Sequence, residues 1–357
     1  MTPSARGPDA IELRRVALPL VAPFRTATGA HQTVEKVLIR WIAGDGEGWG
    51  ECPVGLGPGS VSSVDAVWSL LLHALDAAPP ALPAPAAAAL EVARLDAELR
   101  AAGVSLAVHL GATRDTVDAG VAVGIAPTLE ALLTEVERRR EEGYRRVKLK
   151  IEPGWDVEPV AAVRERLGAE FPLHVDGNSA YRLADAAQLA QLDRFGLLMI
   201  EQPLPVDDLD GHAALARQLR TPVCLDESIS SLAVLERALG LGACSIVNVK
   251  PARLGGVIAA REVHDRCRER GVPVWCGGML ETGVGRAVNV ALAALPGFTL
   301  AGDLSASDRY FAVDLTPSFV LEDGRLRVPR GSGIGVDVLP DVLADVTTAI
   351  EVVRPGA

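Results

Sequence analysis

Five charged side chains close five apolar runs at almost even spacing. They are Lys150, Asp176, Glu201, Asp226 and Lys250, separated by 26, 25, 25 and 24 residues. The runs are Arg146-Val-Lys-Leu-Lys150, Leu173-His-Val-Asp176, Leu198-Met-Ile-Glu201, Val223-Cys-Leu-Asp226 and Val247-Asn-Val-Lys250. A charge at the end of a buried strand is costly unless it is paired or binds a metal. Any one of the three carboxylates could be a salt bridge or a loop cap. Three at matched strand ends favour one shared site. All-oxygen ligation suits a hard cation, here Mg²⁺, with Mn²⁺ as a substitute.

The lysines flank that trio, so a substrate carboxylate on the metal would sit between them. The chemistry this suggests is removal of a proton from the carbon next to the carboxylate. The product is an enediolate, whose charge is the main barrier and which a divalent cation stabilises. A lysine must be neutral to act as the base; burial and a second cation both lower its pKa. Lys148 shares a strand face with Lys150, because side chains alternate with period two. It could supply that second charge. It could equally pair with Glu201 or Asp176.

The five residues meet only if their strands lie side by side. From about residue 117, apolar strands alternate with amphipathic helices roughly every 25 residues. The expected strands are Val117–Ile125, Arg146–Ile151, Leu173–Asp176, Leu197–Glu201, Val223–Asp226, Ser245–Lys250, Val274–Gly277 and Phe298–Gly302. The expected helices are Leu129–Glu142, Val157–Arg166, Ala184–Arg194, Asp208–Gln218, Leu232–Leu239 and Val257–Arg270. This alternation predicts an α/β fold, a TIM-type barrel with the charges at the C-terminal ends of its strands. Residues 303–322 are polar and irregular where the last barrel helix would fall, which leaves a (β/α)7β pattern.

Residues 9–53 read as strands, with loops at Phe24–Gly29 and Val54–Gly59. Residues 64–112 read as helices, interrupted by a Pro/Ala surface connection at Ala78–Ala87. The tail returns to short strands and a final helix, Val338–Val352. The expected division is an α+β capping domain from residues 1–115, the barrel from 116–312, and a return to the cap in 313–357.

The net charge of −11 argues against nucleic acid or an anionic membrane surface as partner. The five cysteines show no metal-ligand spacing, so reduced thiols and a cytoplasmic setting are expected. No apolar run reaches the length of a membrane span, and the first seven residues lack the apolar stretch of a leader.

At these residues the chain resembles the enolase superfamily, over nearly its whole length. The motifs are Lys148-Leu-Lys150, Asp176-Gly-Asn178, Ile200-Glu-Gln-Pro203, Leu225-Asp-Glu-Ser228 and Asn248-Val-Lys250-Pro-Ala-Arg253. The seventh strand lacks a histidine and the sixth ends in Lys250, as in the muconate-lactonizing subgroup. Gly277-Gly-Met-Leu-Glu-Thr-Gly283 and Gly302-Asp-Leu-Ser-Ala-Ser-Asp-Arg-Tyr310 are similar to o-succinylbenzoate synthases that also racemise N-succinylamino acids. Arg253 matches the racemase-capable group. The Asp-x-Asp of dipeptide epimerases after strand eight is missing.

The resemblance implies roles. Asp176, Glu201 and Asp226 would bind Mg²⁺. Lys150 would take the α-proton and, in dehydration, return it to the leaving hydroxyl. Lys250 would stand on the opposite face, as enediolate stabiliser or second acid/base, with Asn178 and Glu227 behind the ligands. It implies a small-molecule carboxylate substrate and a homo-oligomer, a dimer or an octamer. The alternatives are racemisation as the physiological role, or a barrel that has lost activity and only binds.

Smaller features stay ambiguous or bland. Phe24 and Trp49 either touch substrate from the cap or belong to its core, and Glu51 shares that ambiguity. Glu281 lies just past strand seven with no role assigned. The six histidines read as structural or surface residues. Gly255-Gly256 reads as a tight turn rather than an anion site.

Overall fold

The computed structural model describes residues 7–26, 29–55, 63–76 and 82–354. Parts of both expected loops and of the Pro/Ala connection therefore lie outside the described residues. The chain opens with β1 (Ala10–Thr26), β2 (Gly29–Ala43) and β3 (Gly46–Pro53), then α1 (Val64–Asp76), α2 (Ala84–Ala102) and α3 (Leu106–Leu110). Next come β4 (Thr116–Asp118), β5 (Gly120–Val123), α4 (Leu129–Glu141), β6 (Arg146–Lys150), α5 (Val157–Leu167), β7 (Leu173–Asp176), α6 (Ala186–Leu189) and β8 (Ile200–Glu201). They are followed by α7 (Leu209–Ala216), β9 (Val223–Leu225), α8 (Leu232–Leu241), β10 (Ile246–Val249), α9 (Pro251–Leu254), α10 (Val257–Glu269), β11 (Val274–Cys276) and α11 (Gly283–Ala293). The tail holds β12 (Arg325–Arg327), α12 (Pro340–Val346) and β13 (Thr347–Val353).

Strands β5 to β11 form one parallel sheet in sequence order, with helices between them: an α/β fold. Both faces of such a sheet are covered, so the strands are continuously apolar apart from their chemistry-bearing positions. The register sets Lys150 opposite Asp176 and Asp176 opposite Glu201.

Three expected elements between residues 117 and 302 differ. Phe298–Gly302 is not a strand; it makes single bridges to Val274 on one side and Ala119 on the other. The Ala301 carbonyl accepts from Arg146 Nε at 2.9 Å instead of joining a ladder. The Val117–Ile125 run divides into β4, which pairs antiparallel with β12, and β5, which pairs with β6. Ala184–Arg194 holds only the single α-turn α6 between two 3₁₀ stretches.

Period two builds the inner face of the parallel sheet. Met199, Cys224, Ile246 and Trp275 form a buried cluster. Each of these stands two residues before Glu201, Asp226, Asn248 or Gly277. Apolar floor and polar site therefore alternate by one pleat on the same strands. Trp275 is the centre of the floor: the Arg146 guanidinium and the Lys148 ammonium each lie 5.0 Å from its ring centroid, and His174 packs 5.4 Å away.

The other sheet is antiparallel, in the order β13-β1-β2-β3. The expected helix Val338–Val352 is wrong in its second half: it stops at Val346, and β13 pairs with β1 from Thr347 onward. The β-branched run Thr347-Thr-Ala-Ile-Glu-Val-Val353 packs better on a pleated surface than in a helix. Helix α2 lies on β3 and begins inside the stretch read as a surface connection, with prolines in its first turn, where a missing N–H is harmless. Gly50 permits that contact: a Cβ there would fall 1.9 Å from the Ala89 carbonyl oxygen. Farther along α2, Glu91 accepts from the Val257 and Ile258 amides at 2.6 and 3.3 Å and caps α10. That helix start follows Gly255-Gly256, so the chain's own carboxylate takes the place an anion would. Among the described residues, no helix is long and apolar enough to cross a membrane.

Candidate active site

Five of the six predicted site residues stand at the C-terminal ends of β6 to β10 or directly after them, and Lys148 stands two residues before the end of β6. Lys150 donates to Asp176 Oδ2 at 2.6 Å and to Asn178 Oδ1 at 2.7 Å. Lys148 reaches Glu201 Oε2 at 3.1 Å and Asp176 Oδ2 at 3.2 Å, and pairs tightly with Asp303. Lys250 donates to Asp226 Oδ2 at 2.7 Å, and Arg253 holds the other oxygen at 2.5 Å. The structure thus brings each carboxylate to a cation of the chain. Among the described residues no three acidic, histidine or cysteine side chains already converge on one point.

Carboxylates favour the charged form of two of the lysines. Burial opposes the charge on Lys148, but Asp303, Glu201 and Asp176 outweigh it and hold the ammonium well above the usual range. Burial also opposes the charge on Lys250, and Asp226 outweighs it. Against their own burial, Asp176 is held low by Lys150 and Lys148, and Asp226 by Arg253 and Lys250. Glu201 goes the other way. Burial pushes it up, and so do Asp176 and Asp226, while Lys148 only partly compensates. One ammonium shared among three acids leaves Glu201 short of positive charge.

That shortage is what a bound cation would meet. Three buried carboxylates repel each other across adjacent strand ends, and their donors are all hard oxygens. The residues fit a divalent cation of the Mg²⁺ type.

The cavity above these ends is lined by Lys148, Lys150 and Lys250 together with Asn178, Glu227 and Asp303, and by an apolar wall that includes Phe24, Met279, Leu280 and Tyr310. Phe24 thus faces the cavity and meets Tyr310 edge to face. Trp49 is buried away from it, donating to Glu47 at 3.2 Å. Asn178 donates to Glu227 Oε1 at 3.0 Å, which links Lys150 to the end of β9. Asn178, Gln202 and Leu280 take positive φ of 42°, 36° and 52° in the loops that follow β7, β8 and β11. Such backbones cost about 1–3 kcal/mol each and gather where function holds them.

Several site residues escaped the sequence reading. Asp303, in the stretch after the eighth expected strand, carries no role in the sequence analysis, yet it pairs with Lys148 and accepts from Arg146 at 2.7 Å. Asn248 donates to Glu201 Oε1 at 2.9 Å. Gln202 accepts from the Asp226 and Ser228 amides at 3.0 and 3.1 Å and so fixes the end of β9. The period-two rule applied backward from Lys148 and Lys250 finds Arg146 and Asn248; nothing local marks Asp303. His174 lies under the site against Glu201 at 3.2 Å and is kept neutral by burial, with Arg146 and Lys148 adding to the effect.

The family model described as Enolase C-terminal domain-like matches residues 131–342. The chain is 54% identical over 360 residues to an N-succinylamino acid racemase of an Amycolatopsis species, covering 95% of this chain and 97% of the relative. It is 46% identical over 346 residues to an o-succinylbenzoate synthase of Geobacillus kaustophilus, covering 91% and 92%. A solved structure from Listeria innocua, described as a member of the enolase superfamily, superposes with a TM-score of 0.90 at 37% identity, covering 98% of this chain and all of that one.

Proposed function

The chain belongs to the enolase superfamily, and from that premise we propose that it removes the α-proton of a carboxylate substrate in two related reactions. One is dehydration of 2-succinyl-6-hydroxy-2,4-cyclohexadiene-1-carboxylate to o-succinylbenzoate, a step of menaquinone synthesis. The other is racemisation of N-succinylamino acids. The observation that carries this reading is the placement of the two lysines. Lys150 and Lys250 enter one cavity from β6 and β10, and the three carboxylate strands lie between them.

Asp176, Glu201 and Asp226 would hold Mg²⁺, or Mn²⁺ as a substitute, which when bound supplies positive charge to the enediolate. Lys150 takes the α-proton on Nζ. In dehydration the C–O bond breaks, Lys150 returns that proton to the departing hydroxide, and water leaves as the ring becomes aromatic. In racemisation Lys250 delivers a proton to the opposite face. Lys148 stays protonated and adds fixed positive charge beside the carboxylates. Asn178 orients Lys150, and Arg253 orients Asp226.

A dipeptide epimerase is less well supported, because Asp303 is already neutralised by Lys148 and Arg146 and position 305 is serine. An acylated nitrogen, which carries no charge, suits that corner better than an ammonium. Racemisation as the physiological role keeps the support of the 54% identical relative. We read the parallel sheet as a (β/α)7β barrel over residues 116–312, and residues 1–115 with 313–357 as its cap; the pairing of β13 with β1 supports this. Five free, buried thiols support a cytoplasmic setting. Only the family resemblance supports a homo-oligomer.

The test is α-proton exchange of an N-succinylamino acid in D₂O with Mg²⁺, followed by NMR, beside conversion of the cyclohexadiene carboxylate. No exchange by the wild-type chain would sink the racemase reading. Full dehydratase activity in Lys150→Ala would sink the mechanism.

A further inference from the structure

One wall of the cavity is built from Gly278, Met279, Leu280 and Glu281, which follow β11. The other sheet holds this wall in place. Lys36 of β2 has a completely buried side chain, and its ammonium donates to the Met279 carbonyl at 2.9 Å. Glu51 of β3, also completely buried, lies 3.7 Å from that ammonium. Its carboxylate accepts from the Thr282 amide at 3.1 Å, the Thr282 hydroxyl at 2.6 Å and the Gly285 amide at 3.0 Å. These groups open α11, so Glu51 caps that helix from the other sheet. Glu281 completes the clamp by accepting from the Met279 amide at 2.6 Å and from Asn289 at 2.9 Å. Between the held points, Leu280 keeps a left-handed backbone, φ 52°.

A buried lysine is a costly way to fill space. Here its charge is offset by Glu51, and its hydrogen bond goes to a backbone carbonyl of a residue that lines the cavity. The loop would relax from a left-handed leucine if either anchor were lost. We infer that Lys36 and Glu51 are positioning residues for the cavity wall: they hold Met279 and Leu280 against the substrate's side chain and so set substrate affinity and side-chain selectivity. They do not act on proton transfer at Lys150 or Lys250. This inference rests on the racemase reading above.

The experiment compares N-succinylphenylalanine and N-succinylalanine in racemisation by wild type, Lys36→Met, Glu51→Gln, Thr282→Val and Thr282→Ser. For Lys36→Met and Glu51→Gln, KM for the phenylalanine substrate rises about tenfold, the loss of one charge-assisted hydrogen bond, while kcat stays within about threefold. The preference between the two substrates narrows. Thr282→Val shifts KM the same way by less, and Thr282→Ser restores it. Unchanged KM in these variants, or a fall in kcat with KM intact, overturns the inference. If the charge-removing variants fail to fold, the Thr282 pair decides: no KM difference between Val and Ser overturns it. Absence of racemisation in the wild type would instead count against the proposed function.

Discussion

Lys150 and Asp176 stand directly opposite one another on neighbouring strands, with the ammonium 2.6 Å from the carboxylate. Under the proposed function, a cation bound by Asp176 would compete with Lys150 for that carboxylate.

Metal dependence follows. Chelation of divalent cations should abolish α-proton exchange, and Mg²⁺ or Mn²⁺ should restore it. Mg²⁺ at about 100 times its Kd should also stabilise the fold by about 2.7 kcal/mol, seen as a higher melting temperature. Undiminished exchange in metal-stripped protein would remove Asp176, Glu201 and Asp226 as the ligand set.

The two lysines should be separable by stereochemistry. Lys150→Ala and Lys250→Ala should each lose racemisation by about 10²–10⁴-fold, the usual contribution of a positioned acid or base. Each variant should still exchange the α-proton of one enantiomer, and the two variants should favour opposite enantiomers. The check is NMR exchange on each pure enantiomer. A variant that exchanges both would contradict the assignment of one lysine to each face.

Gly277 tests how Lys250 is placed. A Cβ there would lie 2.4 Å from Lys250 Cε and 2.3 Å from Asn248 Oδ1. Gly277→Ala should cost about 1–3 kcal/mol in stability through overpacking. It should lower racemisation more than dehydration, because only racemisation requires Lys250 to deliver a proton. The ratio of the two kcat values measures this, and an unchanged ratio would count against it.

His212 and His264 predict acid sensitivity away from the site. The Leu204 amide donates to His212 Nε2 at 3.2 Å, and the Gly297 amide donates to His264 Nε2 at 3.1 Å. Both rings must be neutral to accept, and burial holds both below the usual histidine range. The unfolded chain takes up protons below about pH 6.5 while the folded rings do not, so stability should fall with pH by up to about 1.4 kcal/mol per unit per histidine. Urea unfolding at pH 7.5 and 5.5, with NMR titration of the rings, checks this. Titration of either ring near pH 6.5 in the folded protein would refute it.

Much of the site was legible because it lies on one repeating unit. The apolar runs ending in Lys150, Asp176, Glu201, Asp226 and Lys250 are strands in one parallel sheet, and their order along the chain is their order in space. Errors fell where pairing partners are distant. The run after Val346 reads as helix from local pattern, but β1, more than 300 residues earlier in sequence, supplies the neighbour that makes it a strand. Phe298–Gly302 reads as a strand from local pattern, but the Arg146 side chain takes one of its carbonyls.

The sequence by itself determined which strands end in charged residues and that these ends share one side of the sheet, because strand periodicity and helix spacing are local properties of the chain. Tertiary structure alone decided their partners. It placed Asp303 on Lys148, where the carboxylate favours the charged form of that lysine. It also brought Lys36 and Glu51 from the other sheet to the wall of the cavity. Those contacts join segments more than 150 residues apart. Charge pairing depends on distance and burial in the folded molecule, and no spacing along the chain encodes either.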